Sequence, residues 1–245
     1  LSLESWLPVA ASSFAGDLDW LLHFITWIVG IWFVLAEAVL LFLVVRYRRR
    51  PGVRAAYQPA RGLRAMSFVL VPCALILGFD LIIDAVAAPI WHKIKETLPP
   101  AQETVRITGE QWAWRFRLPG PDGRLDTADD IEVVNELHLP VGAVVQFELT
   151  AKDVIHSLWM PEMRLKQDAV PGRTIRGWFQ PTREGRYEMA CAQICGFGHT
   201  MMKAEVVVEG REAYDAWLKE KAGSAQAAAA ASPESAGTER RWGTR

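Results

Sequence analysis

The chain carries two kinds of hydrophobic pattern in succession. From Leu21 to Val45 apolar residues run without a period, broken by the single acid Glu37 and by no Lys or Arg. A helix rises 1.5 Å per residue and about 20 apolar residues cross a bilayer core, so this run predicts a spanning helix. A second run, Ala65–Trp91, predicts another. Its Pro72 and its acids Asp80 and Asp84 are tolerable in a helix packed against other helices, and the two acids, four apart on one face, are expected to pair with a neighbouring chain. From Glu103 to about Glu209 the period shortens to two, in runs such as ETVRITG, IEVVNELHL, AVVQFELT, GRYEMACA and KAEVVVE separated by Gly, Pro and Asp. Many short strands at that spacing predict an antiparallel sandwich or barrel of about 100 residues. Arg211–Lys221 sets Tyr214, Trp217 and Leu218 at helical spacing, and Ala222–Arg245 is rich in Ala, Ser and Gly. The expected organisation is an external segment over 1–20, a transmembrane hairpin over 21–91, a β domain over 92–210, a helix over 211–221 and a disordered tail over 222–245.

Charge orients this arrangement. The connector Arg46–Arg64 holds seven arginines and no acid, whereas Leu1–Trp20 holds three acids and no Lys or Arg. The positive-inside rule places the arginine loop in the cytoplasm, so both termini and the β domain lie outside. Trp20, Trp27 and Trp91 fit an interfacial aromatic belt. The first span is too long for a signal sequence and lacks a basic leader and a small-residue cleavage site. Overall composition, 51% hydrophobic with net charge −1, conceals this segregation. The external part from Trp91 to Lys221, with 20 acidic and 17 basic residues, argues against nucleic-acid binding.

Candidate chemistry concentrates in Cys191-Ala192-Gln193-Ile194-Cys195-Gly196-Phe197-Gly198-His199-Thr200-Met201-Met202. Two thiols, an imidazole and a thioether in a C-x3-C-x3-H-x2-M spacing form a soft ligand set that favours copper. His156, after another predicted strand, supplies a second imidazole. Mononuclear copper sites use one Cys, two His and an axial Met; a second thiolate lets two ions share the sulfurs. A Cys191–Cys195 disulfide in an exported domain and a Cys2His2 zinc site are the competing readings, and neither has a use for Met202. Cys73, inside the second span, reads as a small apolar side chain. The loop Gly120–Asp130 crowds Asp122, Asp126, Asp129 and Asp130 together without EF-hand spacing, and reads as a solvated surface turn.

Taken in order, Gln111-Trp112-Ala113-Trp114, Glu136–Gly142, Asp153-Val154-Ile155-His156-Ser157, Lys166–Arg173 and Cys191–Met202 resemble subunit II of the haem-copper cytochrome c oxidases, over roughly Leu21 to Lys221. The resemblance implies a membrane-anchored all-β protein, a two-helix transmembrane hairpin followed by a cupredoxin-like Greek-key β-barrel carrying a dinuclear copper centre, CuA. It implies that Cys191 and Cys195 bridge the coppers, that His156 and His199 are terminal ligands, that Met202 is a weak ligand and that Gln193 offers its backbone carbonyl. Trp112 matches the residue that receives electrons from cytochrome c, and His199 the exit towards haem in subunit I. Trp114, Asp153 and Asp168 are docking candidates. The implied partners are subunit I and other oxidase subunits, a cytochrome c or cytochrome c domain, and membrane lipid. The implied location is a bacterial plasma membrane with the copper domain on the periplasmic side. Oxygen reduction and proton translocation belong to the complex, with no oxygen-reducing site in this chain.

Two departures stand out. Gln193 occupies a position that is usually Glu in the family, where the side chain binds Mg²⁺; a neutral amide binds it more weakly, which puts Mg²⁺ in doubt. Gly62-Leu63-Arg64 lacks the glutamate that many relatives place at the cytoplasmic start of the second span. The same ligand set would serve the CuA subunit of a nitric oxide reductase, whereas a quinol-oxidase subunit II shares the fold without copper. A zinc-stabilised interaction domain is the remaining alternative.

Overall fold

The computed structural model describes residues 6–54, 59 and 61–231. The chain divides into a helical unit, Gly16–Thr97, and a β unit that joins the segment ending at Ala15 to everything from Leu98 onward. Helix α1 spans Ala15–Arg46 and α2 spans Leu63–Trp91, each apolar on every face and exposed along its length. An all-round apolar helix with no protein cover is suited to lipid or to a partner helix. Both are long and apolar enough to cross a membrane. Asp17 in the first turn and Arg46 in the last complement the α1 dipole. The helices touch through Trp32 and Phe79, edge to face at 5.3 Å, and through the Lys93–Asp17 ion pair. A short π-helical turn, His92–Glu96, ends the unit.

The β unit has ten strands: β1 Glu103–Glu110, β2 Ala113–Leu118, β3 Ile131–Val134, β4 Glu136–Pro140, β5 Val145–Ala151, β6 His156–Met160, β7 Leu165–Ala169, β8 Ile175–Phe179, β9 Gly185–Cys191 and β10 Lys203–Glu209. They form two five-stranded sheets, in the orders β3-β2-β1-β5-β8 and β4-β10-β9-β6-β7. The expected antiparallel sandwich is in fact mixed: β1 pairs parallel with β5, and β10 parallel with β4. Strand alternation in the sequence cannot distinguish the two, because side-chain period is two in either direction. Period-two burial runs cleanly through β1, β2 and β5, placing Val105, Ile107, Trp114, Phe116, Leu118, Phe147 and Leu149 in the core.

Strand β4 breaks the pattern, with Leu137 through Pro140 buried in succession. Its outer face is covered by helix α3, Arg211–Ala231. Trp217 of α3 stacks on His138 at 4.3 Å, and the fully buried Tyr214 donates its hydroxyl to Glu103. The helix runs ten residues past the expected end at Lys221, so 222–231 are not the disordered segment anticipated from composition; alanine has the highest helix propensity and sustains it. The rest of the expected tail, 232–245, lies outside the described residues.

The segment preceding α1 is also part of the β unit. Ser12 bridges to Pro181, the Ala11 amide donates to the Glu162 carbonyl, and the Ser12 hydroxyl donates to the Met163 carbonyl. Phe14 is fully buried edge-on against Trp178. A strap of this kind has no hydrophobic period, so the sequence marks 1–20 only as an external segment. In the Gly120–Asp130 loop the aspartates are occupied internally: Asp126 pairs with Arg106, and Asp129 accepts from the Thr127 hydroxyl and the Asp122 amide.

Candidate metal centre

Strand register assembles the candidate ligands. Antiparallel pairing of β6 with β9 sets Leu158 opposite Cys191, which brings His156, two residues earlier, to the same end of the sheet. Pairing of β9 with β10 sets Ala190 opposite Lys203, and the Cys191 amide donates to the Met202 carbonyl, so Met202 lies beside Cys191. Between them the chain turns through Gly196 and a 3-10 turn, His199–Met201, which returns His199 over Cys195. The Cys191 and Cys195 sulfurs are 3.8 Å apart. His156 Nδ1 is 3.9 Å from the Cys191 sulfur, His199 Nδ1 is 3.6 Å from the Cys195 sulfur, and the Met202 sulfur is 3.8 Å from that of Cys195. The Gln193 carbonyl lies 3.2 Å from the Cys191 sulfur, and the residue is exposed.

Both cysteines are free thiols, and a sulfur separation of 3.8 Å is far beyond the bond length of about 2.04 Å in a disulfide. The donors fit a soft metal: at metal–thiolate bonds of about 2.3 Å, one ion reaches both sulfurs. Their arrangement is elongated. His156, Cys191 and Cys195 offer donor atoms all within 4.8 Å of one another, while His199 lies outside that group on the Cys195 side. A single tetrahedral ion would hold all four donors on edges of roughly 3.3–3.8 Å.

Burial shapes the site's electrostatics. His156, Cys191, Cys195 and Met202 are buried and His199 is half-buried. Desolvation, then the adjacent Cys191 thiol, push the Cys195 thiol up to about 11. Burial therefore disfavours thiolate, and a cation must displace the proton to be held. Asp153 stands against the buried imidazole, its Oδ1 2.8 Å from His156 Nε2. Burial works against this carboxylate, but the Gln111 amide, the His156 ring and the Val154 amide outweigh it and hold its pKa below the ordinary value.

Trp112 is 39% exposed and packs on the loop: its indole N–H donates to the Cys195 carbonyl at 3.3 Å, beside the Gln111 side-chain amide at 2.8 Å. Gly198 makes this possible, because a Cβ there would lie 2.4 Å from the Trp112 ring. Gly109 likewise leaves room for His156. Trp114, expected among the docking residues, is wholly buried at the start of the β2 core row, 6.1 Å from the His156 ring, so it has no surface with which to dock. Asp168 is exposed and accepts the Ser157 hydroxyl at 2.8 Å. In the sequence, only adjacency to Trp112 marks Gln111 as a site residue.

A cupredoxin-like β domain joined to two apolar helices, with a buried Cys-Cys-His-Met cluster at one end, defines a class of protein suited to a soft metal. The family model for "Cytochrome C oxidase subunit II, periplasmic domain" matches residues 103–210. The alternative cytochrome c oxidase subunit 2 of Bradyrhizobium diazoefficiens is 33% identical over 240 residues, covering 88% of this chain and 83% of that relative. The cytochrome c oxidase subunit 2 of Cereibacter sphaeroides is 28% identical over 244 residues, covering 87% and 79%. Among solved structures, the periplasmic domain of subunit II of cytochrome oxidase from Bradyrhizobium japonicum is 26% identical, covering 52% of this chain and 99% of that one with a TM-score of 0.47. The chain belongs to the cytochrome c oxidase subunit II family. It is thus a subunit of a haem-copper oxidoreductase complex, its partners include other oxidase subunits, and its two apolar helices and periplasmic domain fit an inner-membrane protein.

Proposed function

We propose that this chain is the electron-input subunit of its oxidase, taking electrons from cytochrome c at a dinuclear copper centre on the periplasmic side and passing them to haem in subunit I. The observation that carries the reading is the elongated donor set, with two sulfurs 3.8 Å apart between imidazoles aimed at opposite ends. Cys191 and Cys195 would bridge two ions, His156 and His199 would terminate them, and Met202 and the Gln193 carbonyl would be weak ligands. When bound, a copper pair supplies one-electron storage shared across both ions. The chain's part is to hold the donors still. His156 and Cys191 are fixed on adjacent strands, and Cys195 is tied through its carbonyl to Gln111 and Trp112. A buried, rigid donor set changes little between redox states, which lowers the barrier to electron transfer.

Trp112 is the electron port, since its half-exposed ring is one hydrogen bond from the backbone of Cys195. Around it the loop exposes Ile194, Phe197 and Met201, an apolar patch suited to the core of a transient interface. His199, half-buried on the Cys195 side of the cluster, is the exit. Gln193 leaves no carboxylate on its exposed side for Mg²⁺. Copper analysis with electron paramagnetic resonance on the full chain tests the reading: two coppers and a seven-line mixed-valence spectrum are expected, and one zinc or a single four-line copper overturns it.

A further inference from the structure

The two ends of the helical hairpin handle charge differently. At one end Lys93 meets Asp17 at 2.7 Å. At the other, Arg46 closes α1 and Arg64 lies in the first turn of α2, with Arg48, Arg49, Arg50, Arg54 and Arg61 between them. The helices touch through Trp32 and Phe79, and a rise of 1.5 Å per residue sets Arg46 and Arg64 at one level, roughly 21–23 Å beyond that contact. All seven arginines are exposed. No acid occurs between Glu37 and Asp80, and Glu37 stands about 13 Å back from Arg46 along α1. Among the described residues none of the seven is paired with a carboxylate, and Arg46 lies over the Tyr47 ring at 5.4 Å. A turn closed by the Val53 amide on the Arg50 carbonyl keeps Arg54 near Arg48–Arg50.

We propose that this arginine end is a docking surface for the headgroups of acidic phospholipids, independent of the metal centre. Depth supports it. The apolar run of α1 stops at Val45 and that of α2 starts at Ala65, so Arg46 and Arg64 stand where a spanning helix leaves the hydrocarbon and meets the phosphate layer. Charge supports it too: seven cations without a carboxylate at their own end of the hairpin need anions from outside it, and an acidic leaflet attracts basic clusters beside a spanning helix. A guanidinium offers parallel N–H donors that match two oxygens of a phosphate diester. A zwitterionic headgroup brings its own ammonium group and meets the cluster with no net charge, whereas an acidic one leaves its phosphate free to pair. Tyr47 beneath Arg46 suits this depth, since its ring has an apolar body and a polar tip and favours the layer between hydrocarbon and water.

The test places the full chain, and separately the assembled oxidase, in phosphatidylcholine bilayers with spin-labelled phosphatidylglycerol or spin-labelled phosphatidylcholine as the probe. The acidic probe is expected to associate with the full chain roughly fivefold more strongly or better, the factor that one basic side chain supplies near a charged surface. That preference shrinks towards unity as salt rises from about 0.1 to about 1 M and the screening length falls from about 10 to about 3 Å. Combining Arg48→Gln, Arg49→Gln and Arg50→Gln removes most of the preference, and the matching triple lysine variant keeps the larger part because it keeps the charge. Both variants retain Arg46, Arg54, Arg61 and Arg64 to hold the orientation, which protease access to the β domain checks; the salt dependence of the wild type judges the proposal even where the glutamine variant inserts the other way round. Equal association of the two probes, or a preference that survives the glutamine variant, overturns the proposal. Displacement of the acidic probe by inorganic phosphate at constant ionic strength also overturns it, as the mark of a free-anion site. So does a glutamine effect seen in the full chain alone and absent from the assembled oxidase, because an acidic face of a neighbouring subunit then covers the arginines.

Discussion

His156 and His138 are both buried histidines in the same sheet, each beside carboxylate, yet only His156 keeps a ring nitrogen facing the sulfur cluster. His156 has one partner: Asp153 takes Nε2, and Nδ1 faces the Cys191 sulfur. His138 has two, Glu209 at 2.7 Å from Nδ1 and Glu136 at 2.9 Å from Nε2, and its ring face is stacked on Trp217. Both of its nitrogens face carboxylate oxygens, so neither is open to a metal. Residue type and burial are therefore poor guides to ligand capacity. What decides is which ring nitrogen the surroundings leave unoccupied.

Exchanging each histidine for alanine should break the comparison most sharply. His156→Ala is expected to lose copper affinity by more than the 10–100-fold typical of a partner outside the coordination sphere, because it deletes a donor. His138→Ala should keep the copper content of the wild type and instead lose about 1–3 kcal/mol of stability, since Glu209 and Glu136 lose a shared partner and Trp217 loses its stack. Metal titration and thermal unfolding of the metal-free chain measure the two effects separately; a copper deficit in folded His138→Ala would contradict the contrast.

A smaller effect is expected from Gly109→Ala. Its Cβ would lie 2.9 Å from Cδ2 of His156, so the ring or strand β1 must give way. The expected cost is about 1–3 kcal/mol, with a change in the spectrum of the loaded site. Unchanged melting together with an unchanged spectrum would mean that the ring has more freedom than its burial implies. The smallest effect belongs to Gln193→Glu. Returning an anion near the cluster should lower the reduction potential, on the order of tens of millivolts through solvent at this exposed position. Redox titration checks the sign; a constant or higher potential would show that the side chain does not sense the site.

The two tryptophans of the Gln111–Trp114 run show how far local pattern reaches. The sequence makes Trp112 the electron-entry residue and Trp114 a docking residue, but Trp114 begins the buried row of β2 and Trp112 sits in the turn before it, resting on Gly198. Asp153 was legible as an acid near a candidate ligand, but its hold on Gln111, 42 residues earlier, was not. The same limit hid the parallel pairing of β1 with β5 and the strap from Ala11 to Ala15.

The sequence by itself determined the helical hairpin, the β domain and the candidate ligands of the Cys191–Met202 loop, because hydrophobic period and short spacing are local properties that survive in any fold the chain adopts. Only the tertiary structure decided that His138 is held between two carboxylates while His156 faces Cys191, that Trp112 is half-exposed while Trp114 is buried, and that the sulfurs stand apart as thiols. Each of these depends on strand register and on groups distant in the chain meeting at hydrogen-bond range, which no local pattern records.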